Sequence, residues 1–419
     1  YVATHLPGGA LAEKFGGKWV VALGLLSTAI CTFITPYAVQ SGGAVALFIL
    51  RVVEGLGEGP LMPGLMLMIS KWSPRTERSV IGAIVFGGSQ IGNVAGSYLS
   101  GVIMHEGSWE NVFYLFGGLG LAWFVFWSLL CYSSPNTHPY ISDKEKKYLN
   151  ENVESLSNNE ARLDPVPWKA LVRSVPIWAL IIAGVSTYLI NYCSFNYKIT
   201  LLLSLLNVNS VVQSLIALRS HVLKFDIKST GILSSMPYIA MWVASVFFGF
   251  TSDFGIRKGF YILATKLIFI SAAIGPGICI LLASYSGCNT TLAVIWFVAA
   301  MGFMSAYYSG MKINVLDITP NYAGTTTALV NGISAISGII SPYLIGLLTP
   351  QVSLCLAFWV CFAVLFLTNF VYVIFGKGRQ EWWDDVKLNG YPSGWKHGPL
   401  PSREKDSDSI EKEKSDEKQ

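Results

Sequence analysis

The sequence predicts an all-α polytopic membrane protein built as two hydrophobic halves, and three observations carry that expectation. Hydrophobic residues make up 52% of the chain and charged residues only 13%, against roughly 25% charged in an ordinary soluble domain. Apolar runs long enough to cross a bilayer, about 20 residues each, recur along almost the whole length. One polar stretch, 134–175, interrupts them near the middle.

Taken in order, the first residues, YVATHLPGGALAEKFGG, read as the end of a span. The chain opens at Tyr1 without an initiator Met, so an upstream piece is expected to be missing. Further spans are read near 19–39, 43–69, 80–104 and 111–133. After the polar stretch they resume near 176–206, 231–251, 261–284, 290–313, 323–348 and 352–376. This divides the chain into an N-terminal transmembrane lobe (1–133), a central loop (134–175), a C-terminal transmembrane lobe (176–376) and a tail (377–419). In the loop, Ser142 and Glu145 stand at capping-box spacing, which predicts a short helix. The tail ends SREKDSDSIEKEKSDEKQ, charged, mixed in sign and without aromatics, and is expected to be disordered.

Loop charges orient these spans. Lys14, Lys18, Lys71, Arg75, Arg78, Arg257 and Lys258 fall on one side with the polar loop and the tail. The connections near 40–43, 105–109, 285–290 and 349–352 carry no Lys or Arg. By the positive-inside rule the charged loops and the C-terminus are cytoplasmic. Asn289, in the sequon Asn289-Thr290-Thr291, then lies outside as a glycosylation candidate. The seven cysteines show no metal-binding spacing and read as packing residues. No metal and no cofactor are expected. The net charge of +4 is accounted for by loops facing anionic lipid, without nucleic acid. Paired His, HExxH and a Ser/Lys dyad are all missing from the spans, which argues against an enzyme, and no GxxxxGK[ST] occurs to drive transport by ATP.

Two features carry chemistry. In RVVEGLGEGP (51–60), Arg51, Glu54 and Glu58 stand at i, i+3 and i+7 on one helical face, inside an apolar run. An ionisable residue there costs roughly 2.5–3.5 kcal/mol on insertion scales. Arg51 can pair with Glu54 or bind an anion bidentately. Glu54 and Glu58 repel when both are ionised, so one of them should hold a proton and couple charge to substrate. The alternative is a buried Arg–Glu clamp that only stabilises packing. The second feature is a repeated turn. GALAEKFGGK (9–18) and GFTSDFGIRK (249–258) each begin with Gly, hold an acid four residues later and end in Lys. Gly9, Glu13, Gly16 and Lys18, with Gly249, Asp253 and Lys258, are therefore read as a paired cytoplasmic gate, the alternative for either copy being a tight connection with solvated charges.

The 9–18 turn resembles the loop motif of the major facilitator superfamily. More specifically, THLPGGALAEKFGGKW, RVVEGLGEGPLMPG, SKWSPRTERS, SWENVFYLFG, KFDIKSTGILSSMPYIAMW and LDITPNYAGTTTALVNGISAISGIISP, in this order, resemble the anion:cation symporter family. That family includes sodium/phosphate cotransporters, sialin and vesicular glutamate transporters, and the chain is most similar to insect-type inorganic phosphate cotransporters and sialin-like members. The resemblance implies two six-helix lobes around a central cavity working by alternating access, with the first helix and the start of the second absent from this chain. It also implies that the Arg51 and Glu58 pattern handles substrate and protons.

Other candidates are weaker. Asn331 reads as a cavity-facing substrate contact or a helix–helix hydrogen bond. Lys312 reads as a snorkelling cation, His5 as a proton relay or a locally satisfied ring, and Glu77 as part of a charge network with Arg75 and Arg78. Gly88, Gly92 and Gly96 read as a close-packing face. The stretch 187–223 departs from the family and puts Lys198, Arg219 and His221 in or beyond a span heading outward. It reads as a translated intron or mispredicted exon, the alternative being a diverged seventh helix. The functional expectation is a symporter for a small anion, inorganic phosphate or an organic carboxylate, driven by sodium or protons. It would sit in a plasma, vesicular or lysosomal membrane, Arg51 and Asn331 contacting substrate and Glu54 and Glu58 coupling the ion. A transport-inactive sensor or scaffold of the same fold is the alternative.

Overall fold

The computed structural model describes residues 1–74, 76–153, 166–186, 227–258, 274–283, 285, 290–348, 354–378 and 380–384. Arg75, Asn289, the anomalous 187–223 stretch and the tail beyond 384 lie outside the described residues. Among the described residues all regular structure is helical. Among the described residues five segments are long and apolar enough to span a membrane: Gly17–Trp72, Arg78–Met104, Trp109–Leu130, Val294–Ile318 and Ala323–Ile340.

In the first lobe, α1 (Val2–Phe15) ends at Gly16, whose φ of 86° is a conformation glycine adopts freely. The following α2 (Gly17–Glu58) contains two spans in one element. At Gly43 φ is 58° and ψ is −143°, and the chain turns back on itself. The spans expected at 19–39 and 43–69 are its two arms, the second continuing through Pro60 into α3 (Leu61–Trp72). Small residues set the arms together. A Cβ added at Gly24 would lie 2.5 Å from the Gly57 carbonyl oxygen, and one at Gly17 would lie 2.7 Å from that of Gly64. A Cβ at Gly117 of α5 (Trp109–Leu130) would lie 2.8 Å from the Phe33 backbone. Lipid supplies no hydrophobic drive between helices, so close backbone packing of this kind holds them. Between α3 and α5 runs α4 (Arg78–Glu106).

The central loop carries α6 (Asp143–Asn152), where the Ser142 hydroxyl accepts from the Glu145 N–H at 3.2 Å, as the capping-box spacing predicts. Short α7 (Trp168–Arg173) leads to α8 (Val175–Ser186). The second lobe continues with α9 (Ile227–Arg257), α10 (Ile274–Ala283) and α11 (Thr290–Met304). Its remaining helices are α12 (Ala306–Ser309), α13 (Met311–Ile318), α14 (Ala323–Leu348) and α15 (Leu354–Phe375). Helices α11 to α13 form one broken span, interrupted at Ser305 and Gly310. Serines bind α14 to α8: the Ser334 hydroxyl donates to the Ile181 carbonyl at 3.2 Å, and that of Ser337 to Val185 at 3.1 Å.

The lobes meet through two antiparallel pairs. Along α1 and α14, Gly9 packs on Thr325 and Ala328, and His5 packs on Gly332. Along α4 and α9, Gly249 packs on Ser79 and Ala83, and Gly87 on Trp242 and Ser245.

Two expectations change. Gly88, Gly92 and Gly96 have open space where a Cβ would be, so they are no close-packing face among the described residues. The expected disorder from 377 onward does not hold for 380–384. There Trp383 is buried with Leu171, Ile177 and Tyr322, and the Glu381 N–H donates to the Ile318 carbonyl at 3.0 Å. An aromatic side chain with an apolar seat outweighs the charged composition around it.

Candidate functional site

Helix α2 positions the charged set. The Arg51 guanidinium donates to Glu54 at 2.7 Å, and Thr32, on the opposite arm, donates to the other carboxylate oxygen at 3.4 Å. Glu54 is buried while the Arg51 side chain is 55% exposed, so the pair joins a sequestered acid to an accessible base. A charge-assisted bond of this length is among the stronger ones available to a side chain. Glu58 lies one turn beyond, partly buried, near enough to Glu54 for their charges to repel. The i, i+3, i+7 face is therefore continuous, and Arg51 is held by Glu54.

Asn331 lies elsewhere. It is buried on α14 and lines a cavity of about 10 Å³ with Lys312, Met66, Tyr307 and Thr327. Neither Arg51, Glu54 nor Glu58 lines that cavity. Lys312 does not extend to an interface, as the sequence led us to expect. Its ammonium lies 4.0 Å from the Phe86 ring centroid and 3.6 Å from the Met62 sulfur, both in the other lobe.

The two Gly–acid turns come to matching places at one end of the molecule. Glu13 accepts from the Thr325 N–H at 2.8 Å, in the first turn of α14. Asp253 accepts from the Ser79 and Val80 N–H groups at 3.2 and 2.9 Å, in the first turn of α4. Each carboxylate thus meets the free donors and positive dipole end of a helix in the opposite lobe. Gly9 and Gly249, four residues earlier, allow the approach. A Cβ would stand 2.8 Å from Gly324 O and Ala328 Cβ in the first case, and 3.0 Å from Ala83 Cβ in the second. The basic members do other work. Lys18 spreads over Tyr132 and Trp19, its carbonyl accepts from the Trp127 indole, and Lys258 covers Phe254. Beside Gly16, Ser133 accepts from the Lys18 N–H.

An ion pair between the lobes went unread in the sequence. Arg78, 1% exposed, donates to Asp317 at 3.0 Å and to the Leu316 carbonyl at 3.2 Å. Glu77 pairs with Arg257 at 3.8 Å, also across the lobes, rather than with Arg78. The only sequence signal for these partners was an acid and a base in polar turns, which gives no partner.

The 380–384 segment closes over the same end. Asp384 accepts from the Asn321 and Tyr322 N–H groups and from the Gln380 side chain at 3.3, 3.2 and 2.9 Å. Burial pushes its carboxyl up to about 7 despite these donors. Nearby, Asn314 on α13 donates to Tyr372 and to the Lys377 carbonyl, and Lys377 pairs with Glu381.

The family model for the Major Facilitator Superfamily matches residues 1–218 and 199–406. A putative inorganic phosphate cotransporter of Drosophila ananassae is 34% identical over 398 residues, 92% of this chain and 78% of its own. Human sialin is 33% identical over 388 residues, 91% of this chain and 74% of its own. Human vesicular glutamate transporter 2 is 29% identical over 393 residues, 92% and 64% respectively. The solved structure of a proton:xylose symporter, bound to 6-bromo-6-deoxy-D-glucose, superposes with a TM-score of 0.68 at 12% identity. That superposition covers 90% of this chain and 84% of the symporter.

Proposed function

This chain belongs to the major facilitator superfamily and, within it, to the anion:cation symporter family, and from that premise we propose that it is a secondary active symporter for a small anion. It has the superfamily fold and is a multi-pass membrane transporter, not an enzyme. The cargo is inorganic phosphate or an organic carboxylate, and sodium or protons supply the drive. The observation that carries this reading is the Arg51–Glu54 pair at 2.7 Å with Glu58 a turn away, in a membrane-spanning helix. An intramembrane ion set is functional by default, since packing alone is satisfied more cheaply by apolar residues.

The mechanism follows from competition for one guanidinium. With Glu54 ionised, Arg51 is occupied. When a proton or sodium ion neutralises the Glu54–Glu58 pair, Arg51 is released and takes the anion bidentately. The Glu13 and Asp253 contacts hold one end of the lobe interface shut while the site is open at the other, as alternating access requires. Charged turns and the C-terminal tail face the cytoplasm, so the latched end is the cytoplasmic one. The membrane is the plasma membrane or a vesicular or lysosomal one. Asn331 joins the substrate contacts when the cavity around it opens.

The test is uptake by the purified full chain in liposomes, under an imposed sodium or proton gradient, with labelled phosphate and labelled glutamate. Arg51→Ala is expected to abolish uptake while inserting normally. Wild-type uptake by that variant would remove Arg51 from the assignment.

A further inference from the structure

We propose that Lys312 is a second cationic contact for the transported oxyanion, met deeper in the lobe interface than Arg51, and that it sets the affinity for cargo. This rests on the transport reading above.

The ammonium of Lys312, on α13, has only soft partners. Phe86 of α4 lies 4.0 Å away and Tyr308 5.2 Å away, measured to ring centroids, and the Met62 sulfur of α3 is at 3.6 Å. Among the described residues no carboxylate pairs with it. Among the described residues Arg51 pairs with Glu54, Arg78 with Asp317 and Arg257 with Glu77. Aromatic faces recover less for such a charge than placing it within a membrane costs. A lysine held there with no counter-charge among the described residues is placed to receive an anion.

Its setting suits an oxyanion. Asn331 and Thr327 line the same small cavity, which has room for about one water in this closed arrangement. Its wall is divided between the lobes, Met66 from one and Tyr307 from the other, so it widens only when they part. Lys312 also touches the helical face that bears the charged set. Met62 follows Glu58 by four residues and Arg51 by eleven, about 6 and about 16 Å along the axis, and so lies on the same face. An anion released by Arg51 therefore meets Lys312 next. A lysine is a compact charge with three rotatable donors, which fits phosphate or carboxylate oxygens without fixing their plane.

The experiment measures concentration-dependent uptake of labelled phosphate and, separately, of labelled glutamate, by wild type, Lys312→Met and Lys312→Arg in liposomes. For whichever anion the wild type carries, Lys312→Met should raise KM at least tenfold. Lys312→Arg should stay within about threefold, because it keeps the charge. A packing role predicts instead that Met, which is apolar and flexible, preserves KM and Arg disturbs it. Because Lys312→Met could misfold, a second readout uses the wild type alone. Saturating anion should slow reductive methylation of Lys312, followed by mass spectrometry, and leave Lys169 of the central loop unaffected. Unchanged KM in folded Lys312→Met, or equal methylation with and without anion, overturns the proposal while wild-type uptake leaves the transport reading standing. If the wild type carries neither anion, both fall.

Discussion

Arg51 and Glu54 form a pair in which only one member is accessible, so the buried acid decides when the base is free. Glu54→Gln removes the competing charge and keeps the shape and the Thr32 contact. That variant is expected to exchange anion across the membrane at close to the wild-type rate but to lose concentrative uptake. Counterflow and gradient-driven assays on one preparation check this, and retained gradient dependence would exonerate Glu54. The pair was legible in sequence because i, i+3 spacing on a helix brings side chains together whatever surrounds them. Lys312 was not. Helical periodicity gives the face a residue occupies but not what covers it, and its covering ring, Phe86, is 226 residues earlier in the chain. Arg78 escaped for the same reason, since Asp317 sits in another lobe.

Single elements carry two devices at the latched end. Gly9 and Gly249 let helices touch, and a larger side chain should wedge them. Gly9→Val puts a β-branched side chain against Gly324 O and Ala328 Cβ, and overpacking of this kind costs typically 1–3 kcal/mol. The closed arrangement should lose that much relative to the open one, read as faster labelling of a cysteine placed at Thr325. The other device is the 380–384 segment. Asp384 binds its proton more tightly when docked, with a carboxyl at about 7 against an ordinary 3.8. The docked state therefore holds more protons than the undocked one between those values, and docking weakens as pH rises from about 4 to about 7. Lys377 and Glu381 form an ion pair beside it at 3.2 Å. Protection factors for hydrogen exchange of 380–384, taken against the intrinsic rate at each pH, should be higher at pH 5 than at pH 8, and Asp384→Asn should flatten the difference. The turns themselves were readable as a matched pair, Gly–x–x–x–acid in both halves. Their acceptors were not, because ERSV and AGTT announce helix starts without naming the carboxylates that cap them.

At the scale of the whole molecule, the two caps are related by the repeat of the chain. Glu13 of the first lobe holds α14 of the second, and Asp253 of the second holds α4 of the first. The membrane class, the division into lobes and most spans followed from composition and apolar run length, since every backbone group in lipid must be satisfied within a helix. Which end is shut did not follow, because it depends on contacts between lobes that are separately hydrophobic and similar. One end of the lobe interface carries two carboxylates on helix N-termini and two ion pairs, while among the described residues Gly88, Gly92 and Gly96 of α4 have open space beside them. A carboxylate at a helix start contributes roughly 0.3–2 kcal/mol, so neutralising both should shift the closed-to-open equilibrium by about 0.6–4 kcal/mol. That is a factor of about 3 to 1,000, enough at its upper end to invert a modest preference. Spin labels across the latched end should move apart in Glu13→Gln with Asp253→Asn, while labels near Gly96 and Ile339 draw together. The single variants should each give part of the shift, because each cap closes its own pair of helices around one interface. Labels that move at one end only would mean that the lobes bend separately, and the caps would then be local stabilisers with no share in exchanging the site between the two sides of the membrane.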